Sequence, residues 1–119
     1  MTLRQKQSQF VRLLPLLFRK AWELGFELTL GEAWRSPAEA ERLAELGKGI
    51  PNSLHKIRLA IDLNLFRNGV YLTSTENHRA LGEYWKSLST TEYTCAWGGD
   101  FEGKKKDGNH YSIEHNGVK

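Results

Sequence analysis

Two histidines and one aspartate, His55, Asp62 and His110, are the residues in this sequence whose types suggest chemistry. Two imidazoles and one carboxylate form the ligand set of a catalytic zinc site that keeps its fourth position open for water. A second carboxylate, Asp107, stands three residues before His110. Because a carboxylate beside such a water acts as the general base in metal-assisted hydrolysis, the four residues suggest a hydrolytic zinc site.

These residue types also have an explanation without a metal. His55 stands beside Lys56 in a polar stretch, where a histidine is most often solvated, and its interval to Asp62 is not a short metal motif such as two histidines at i and i+4. Asp62 is harder to explain in this way because it lies in an apolar segment, and a buried carboxylate is costly unless it is paired or metal-bound. We therefore expect a cation to face Asp62, and spacing alone leaves its nature open.

The elements that position these residues follow from the spacing of apolar residues and from turn signals. Helices are predicted over residues 8–24, 37–46 and 76–88, and strands over residues 26–30, 59–66, 70–73, 93–97 and 110–114. Alternation places Asp62 on the polar face of its strand, and His110 begins the last strand. The fold class is therefore predicted as α+β: one domain over residues 1–119, with a small antiparallel sheet, helices packed on one side and zinc in a surface cleft.

Three local signals sharpen this prediction. Pro15 either kinks the first helix or marks its first turn. Ser36 is the expected N-cap of the second helix, with Pro37 at the first helical position and Glu39 reaching back to complete a capping box. The pair Asn68-Gly69 predicts a two-residue hairpin turn between the strands predicted over residues 59–66 and 70–73.

Composition excludes several classes of function. The chain has 119 residues, 39% of them hydrophobic, and a net charge of +3. Its longest apolar run, residues 13–18, is far below the roughly 20 residues of a membrane span, so we expect no membrane insertion. Basic residues are scattered except for Lys104 to Lys106, which we interpret as a solvated loop, and no base-reading motif accompanies them. We therefore expect no nucleic-acid partner. The single cysteine, Cys95, is consistent with a reducing cytosol.

Three blocks of the sequence resemble a known family, the zinc peptidases of the D-alanyl-D-alanine carboxypeptidase group, and in particular the L-alanyl-D-glutamate endopeptidases found as phage endolysins and bacterial wall hydrolases. The resemblance extends from about Leu30 to Tyr111. It is carried by Ser53-Leu54-His55 through Ala60-Ile61-Asp62-Leu63, by Trp97-Gly98-Gly99-Asp100-Phe101 and by Asp107-Gly108-Asn109-His110-Tyr111.

The resemblance implies a role for each of these residues. It makes His55, Asp62 and His110 the ligands of Zn²⁺, Asp107 the catalytic base and Arg35 the group that holds a substrate carbonyl or the developing oxyanion. An ion pair with Glu39 is the alternative for Arg35. Three further residues are expected to bind substrate or to support the ligands. Ser53 binds substrate or orients His55, and Trp97 lines the cleft. Asp100 binds substrate or is a partner of a ligand histidine.

The sequence departs from the family pattern at two positions. Arg58 stands where the family usually has glycine, and Gly108 stands where proline is common. Related carboxypeptidases often have glutamate at the position of Asp107, so the aspartate favours the endolysin branch. The departures affect the expected contacts at the edge of the substrate and leave the metal chemistry unchanged.

The expected function is hydrolysis of the L-Ala–D-Glu bond in the peptidoglycan stem peptide by a monomeric zinc endolysin. Lacking a recognisable signal peptide, it is expected to accumulate in the host cytoplasm and to act on the wall after membrane permeabilisation. Lys56, Arg58 and Lys104 to Lys106 lie in predicted loops that would not seal a pocket, which favours an open groove and an endopeptidase.

Two alternatives remain at this point. One is a D-Ala-D-Ala carboxypeptidase. The other is a non-catalytic, zinc-containing domain that binds the cell wall, in which a fourth protein ligand closes the metal site. The candidates for that ligand are His78, His115 and Cys95, although both histidines are expected to be surface or structural residues.

Overall fold

The computed structural model describes residues 1–119 and begins with helix α1, Leu3–Glu23. The helix starts five residues before the predicted position because Thr2 caps it: the Thr2 hydroxyl accepts from the Gln5 amide, and the Gln5 side chain accepts from the Thr2 amide. Pro15 lies inside the continuous helix and not in its first turn. No helix in the chain is both long and apolar enough to cross a bilayer.

A five-stranded antiparallel sheet forms the centre of the fold. Its strand order is β1-β2-β5-β4, with β3 paired to the end of β2. Both residues of the predicted hairpin turn between β2 and β3 have positive φ, 51° for Asn68 and 77° for Gly69, as a type I′ turn requires. The strands are β1 Glu27–Leu30, β2 Ala60–Arg67, β3 Val70–Leu72, β4 Cys95–Trp97 and β5 His110–Ile113.

One face of this sheet is covered by α1 and by α3, Arg79–Ser87. Phe10 of α1 meets Trp85 of α3 edge to face, with 5.8 Å between ring centroids. Leu63 and Leu65 of β2 are fully buried in the same core, while Asp62 is only half-buried. The α+β architecture and the alternation in β2 are thus confirmed, and α1 and α3 leave the polar face of β2 free for a site.

The second helix and the first strand differ from expectation in detail. Helix α2, Pro37–Glu45, has Ser36 as its N-cap, and the Ser36 hydroxyl accepts from the Glu39 amide. The Glu39 carboxylate does not reach back, because it forms two hydrogen bonds with Arg42 on the next turn. The buried face predicted for β1 stops at Leu28, since Leu30 is 65% exposed.

A buried histidine, His78, contacts the sheet from the turn that precedes α3. His78 ends the short 3₁₀ turn Thr75–His78 that leads into α3, and its Nδ1 lies 2.9 Å from the hydroxyl of Tyr111 in β5. Both residues are almost fully buried. Burial lowers the pKa of His78 from 6.5 to about 4. Of the two expectations for His78, the structure supports the structural role.

We predict that His78 makes the fold sensitive to acid. Because the folded protein keeps this imidazole neutral, its contribution to stability is complete above the unfolded pKa of about 6.5 and is lost as the pH falls to about 4. The full loss corresponds to about 3 kcal/mol. Urea unfolding of the wild type, His78→Gln and the control His115→Gln should show a shallower pH dependence only in His78→Gln. Equal slopes in the wild type and His78→Gln would contradict the assignment, since these two proteins differ only at residue 78.

Candidate metal centre

Two of the three candidate ligands come from neighbouring strands. Asp62 of β2 pairs directly with His110 of β5 in the antiparallel register, so their side chains project from the same face of the sheet. The His110 Nδ1 atom lies 3.7 Å from Asp62 Oδ1. The sheet register therefore supplies a carboxylate and an imidazole side by side.

The third candidate ligand, His55, comes from a turn outside the sheet. It lies in the 3₁₀ turn Leu54–Ile57, where the Ser53 hydroxyl accepts from the His55 amide at 3.2 Å. The His55 Nε2 atom lies 3.3 Å from Asp62 Oδ1, and the ring is 3% exposed. Ser53 is itself buried and lines the cleft, so it orients His55 and borders the space where a substrate would lie.

The backbone conformation at Arg58 explains why glycine would suit the end of this turn. Its φ of 58° is in the left-handed region, which glycine adopts without strain and other residues adopt rarely. The guanidinium lies 5.2 Å from the ring centroid of Trp34, a distance typical of a cation–π contact. The arginine therefore keeps the backbone shape of the turn and gains a contact outside the metal site.

The three side chains fit a metal ion. One possible ligand atom from each of His55, Asp62 and His110 lies within 4.8 Å of the others. The Oδ1 atom of Asp62 is buried and has no hydrogen-bond partner. Its distances to the two imidazoles, 3.3 and 3.7 Å, are near the edge of about 3.3 Å in a tetrahedron with zinc–ligand bonds of about 2.0 Å. A metal would satisfy the buried oxygen that the protein itself leaves unpaired.

The charge balance at Asp62 also favours a cation. Desolvation by burial tends to raise the pKa of Asp62, but the His110 and His55 imidazoles beside the carboxylate outweigh it and lower this pKa to about 2. Asp62 is therefore ionised at neutral pH. Two imidazoles face this carboxylate, and the cluster that they form with it fits the cation expected there.

Asp107 faces the same cleft and is held there by its backbone. Its amide donates to the Gly98 carbonyl at 2.9 Å, and its carbonyl accepts from the His110 amide at 3.1 Å. A Cβ atom on Gly98 would lie 2.0 Å from the Asp107 carbonyl oxygen, so only glycine allows this approach. Burial, followed by repulsion from Asp62, raises the pKa of the Asp107 carboxyl. The position suits a group that takes and returns a proton.

Arg35 enters the cleft from the segment before α2. Its Nε and Nη2 atoms both lie 2.6 Å from Glu32 Oε1, and its amide donates to the His55 carbonyl. The alternative pairing with Glu39 is not formed. Because Glu32 uses only part of the guanidinium fork, donors remain for a ligand in the cleft.

Glu32 is a site residue that the sequence analysis missed. Its Oε1 atom lies 3.6 Å from Nδ1 of His55 as well as beside Arg35. This distance is too long for a hydrogen bond, but the negative charge beside Nδ1 favours the tautomer that carries the proton on that nitrogen. The only sequence signal was its position three residues before Arg35.

The structure corrects two of the expected substrate-binding residues. Trp97 does not line the cleft: it is 1% exposed, and its indole donates to the Gly108 carbonyl at 2.7 Å within the core. Asp100 is not a partner of a ligand histidine. It turns outwards, and its carboxylate lies 2.8 Å from the ammonium of Lys86.

None of the three candidates for a fourth protein ligand reaches the cluster. His78 is bonded to Tyr111, and His115 Nδ1 lies 3.2 Å from the Lys6 ammonium. Cys95 is buried in β4, and burial raises the pKa of its thiol to about 12. The cluster therefore has three candidate protein ligands, which is the number found in catalytic zinc sites.

The surrounding cleft has a volume of about 360 Å³. His55, His110, Asp107, Arg35 and Ser53 all line it. Phe101 lies on its wall with its ring centroid 5.3 Å from that of His110. Lys104 to Lys106 are exposed, as expected of a solvated loop, and this loop also lines the cleft.

Comparison with known proteins agrees with this geometry. The fold is similar to that in the crystal structure of Serratia marcescens L-Ala D-Glu endopeptidase ChiX, with a TM-score of 0.67, 20% identity, and coverage of 90% of this chain and 79% of that chain. No curated protein sequence matches the chain. The D-alanyl-D-alanine carboxypeptidase family model matches residues 47–113, which include His55, Asp62, Asp107 and His110. Because this match covers more than half of its residues, the chain belongs to the D-alanyl-D-alanine carboxypeptidase family of peptidases.

Proposed function

We propose that the protein is a zinc-dependent endopeptidase that hydrolyses the L-Ala–D-Glu bond of the peptidoglycan stem peptide. The observation that carries this proposal is the convergence of a three-ligand cluster, an unligated carboxylate and an arginine in one cleft. The family membership supports peptide hydrolysis. The bond is suggested by the activity named for the structural neighbour ChiX and by aspartate at position 107.

The residues that would hold zinc are His55, Asp62 and His110. When bound there, zinc supplies Lewis acidity that activates water and polarises the scissile carbonyl. The chain's own contribution begins with the Glu32 carboxylate, which lies 3.6 Å from Nδ1 of His55 and favours a proton on that nitrogen, so that Nε2 is left free to bind a metal. The buried turn that begins at Ser53 limits movement of the ligand.

Asp107 and Arg35 supply the proton transfer and the charge stabilisation. The Asp107 carboxylate accepts the proton of the attacking water and later delivers it to the leaving amine. The Arg35 guanidinium donates to the oxygen on which negative charge develops, held in place by Glu32 while it does so. Two residues outside the ligand set thus handle the proton and the charge.

A D-Ala-D-Ala carboxypeptidase is the second candidate, and the description of the matching family favours it. The two activities differ in what the cleft must recognise, since a carboxypeptidase binds one terminal carboxylate and an endopeptidase binds chain on both sides of the bond. The non-catalytic wall-binding alternative has less support, because no fourth protein ligand closes the cluster.

The bond is tested by digesting purified sacculi with zinc-loaded protein. We expect soluble peptides that begin with D-Glu, with L-Ala left on the glycan, as read by mass spectrometry and end-group analysis. Protein treated with a chelator should release nothing, and adding zinc back should restore release. Free D-Ala with the stem otherwise intact would establish the carboxypeptidase instead, and full activity of metal-free protein would overturn the metal assignment.

A further inference from the structure

The cleft beside the metal centre is rich in lysine. Five of the nine lysines in the chain line it, four of them from two separate loops: Lys48 after α2, and Lys104, Lys105 and Lys106 before β5. We call these four the lysine rim. The only acidic residue in the lining is Asp107. The chain carries a net charge of only +3, so its positive charge is concentrated at the site.

The lysine rim has no partner within the protein. None of its ammonium groups forms an ion pair or a side-chain hydrogen bond, whereas Lys86 pairs with both Glu83 and Asp100. Unpaired like charges repel one another and therefore lower the stability of the fold. Lined up along a concave surface, they attract anions and raise their local concentration. The arrangement is therefore suited to binding an anionic ligand.

We infer that the lysine rim is a subsite for several carboxylates of the substrate, next to the bond that is cut. This inference rests on the proposed function and adds a substrate class to it. A glutamate joined through one of its carboxyl groups keeps the other one free, so a stem peptide with D-Glu after the scissile bond carries a charge there as well as at its terminus. A substrate with one terminal carboxylate would need only one cation.

The lysine rim also changes the argument for an open groove. The sequence analysis expected Lys56, Arg58 and Lys104 to Lys106 to lie in loops that would not seal a pocket. The Lys56 ammonium donates to the Pro51 carbonyl. Lys104 to Lys106 line the cleft. The cleft is accordingly a groove with a charged wall, and its specificity depends on anionic groups beside the bond and not on an enclosed end.

The test uses two synthetic peptides that contain the L-Ala–D-Glu bond, one with free carboxylates and one with the same groups amidated. For the free-acid peptide, Lys104→Gln/Lys105→Gln/Lys106→Gln should lower kcat/KM roughly tenfold through KM, with kcat unchanged. The amidated peptide should be a poor substrate of the wild type and should lose nothing further. The matched control Arg4→Gln/Arg12→Gln/Arg19→Gln removes three exposed charges from α1 and should behave as the wild type.

Binding is measured separately so that the two proposals can fail independently. Calorimetric titration of wild type, both triple variants and Lys48→Gln with each peptide should show preference for the free acid that weakens in the rim variants and with added salt. If the wild type cleaves neither peptide yet keeps this preference, the proposed function fails and the subsite stands. Equal binding of both peptides, or tighter rim-dependent binding of an oligonucleotide, would overturn the subsite. If the triple variant does not fold, the binding of the two peptides to Lys48→Gln tests the subsite instead.

Discussion

Replacing Asp107 by asparagine is expected to lower the rate of stem-peptide hydrolysis by roughly 10²–10⁴-fold, the usual contribution of a general base. Asparagine has nearly the same shape but cannot accept the proton of water. Asp107 is not part of the ligand cluster, and its contacts with Gly98 and His110 are made by the main chain. The variant should therefore keep its metal and its fold while losing turnover.

The measurement is kcat on a synthetic stem peptide, with metal content and thermal unfolding recorded on the same preparations. Asp100→Asn is the matched control, because this exposed aspartate pairs with Lys86 and lies away from the cleft lining. It should retain wild-type turnover. Near-normal kcat in Asp107→Asn would show that Asp107 takes no part in the reaction. Loss of metal in this variant would show that Asp107 is a metal ligand.

The second large effect is expected at Arg35. Arg35→Ala should lower kcat by roughly 10²–10³-fold, the cost of removing one donor to a developing oxyanion. The side chain is 12% exposed and borders the cleft, and its fork is only partly used by Glu32. Arg35→Lys should restore little, because lysine keeps the charge but not the planar fork.

Two variants separate this role from a structural one. Arg42→Ala removes the exposed arginine that pairs with Glu39 and should leave kcat unchanged. Glu32→Gln/Arg35→Ala removes the carboxylate that Arg35→Ala would leave unpaired beside His55. A rate restored in this double variant would show that the loss came from the stranded carboxylate. Unchanged kinetics in Arg35→Ala would show that the role of Arg35 is limited to its ion pair with Glu32.

Local rules in the sequence determined the ligand-bearing elements. Alternating apolar residues in β2 require a period of two, which turns Asp62 away from the core that holds Leu63 and Leu65. Asn68-Gly69 specifies its own turn because both residues tolerate positive φ. These features depend on neighbours in the chain, and so the residues alone predict them.

Other features depend on which segments meet in space, and only the tertiary structure decided them. The register that places Asp62 opposite His110 is set by pairing across 48 residues of chain, and the turn that carries His55 closes onto the pair from outside the sheet. The same cause explains where Trp97 and Lys104 to Lys106 lie. Trp97 points into the core because α3 and the Gly108 turn cover it. Lys104 to Lys106 border the cleft because the backbone bonds of the next residue, Asp107, to Gly98 and His110 tie the end of their loop beside the metal centre.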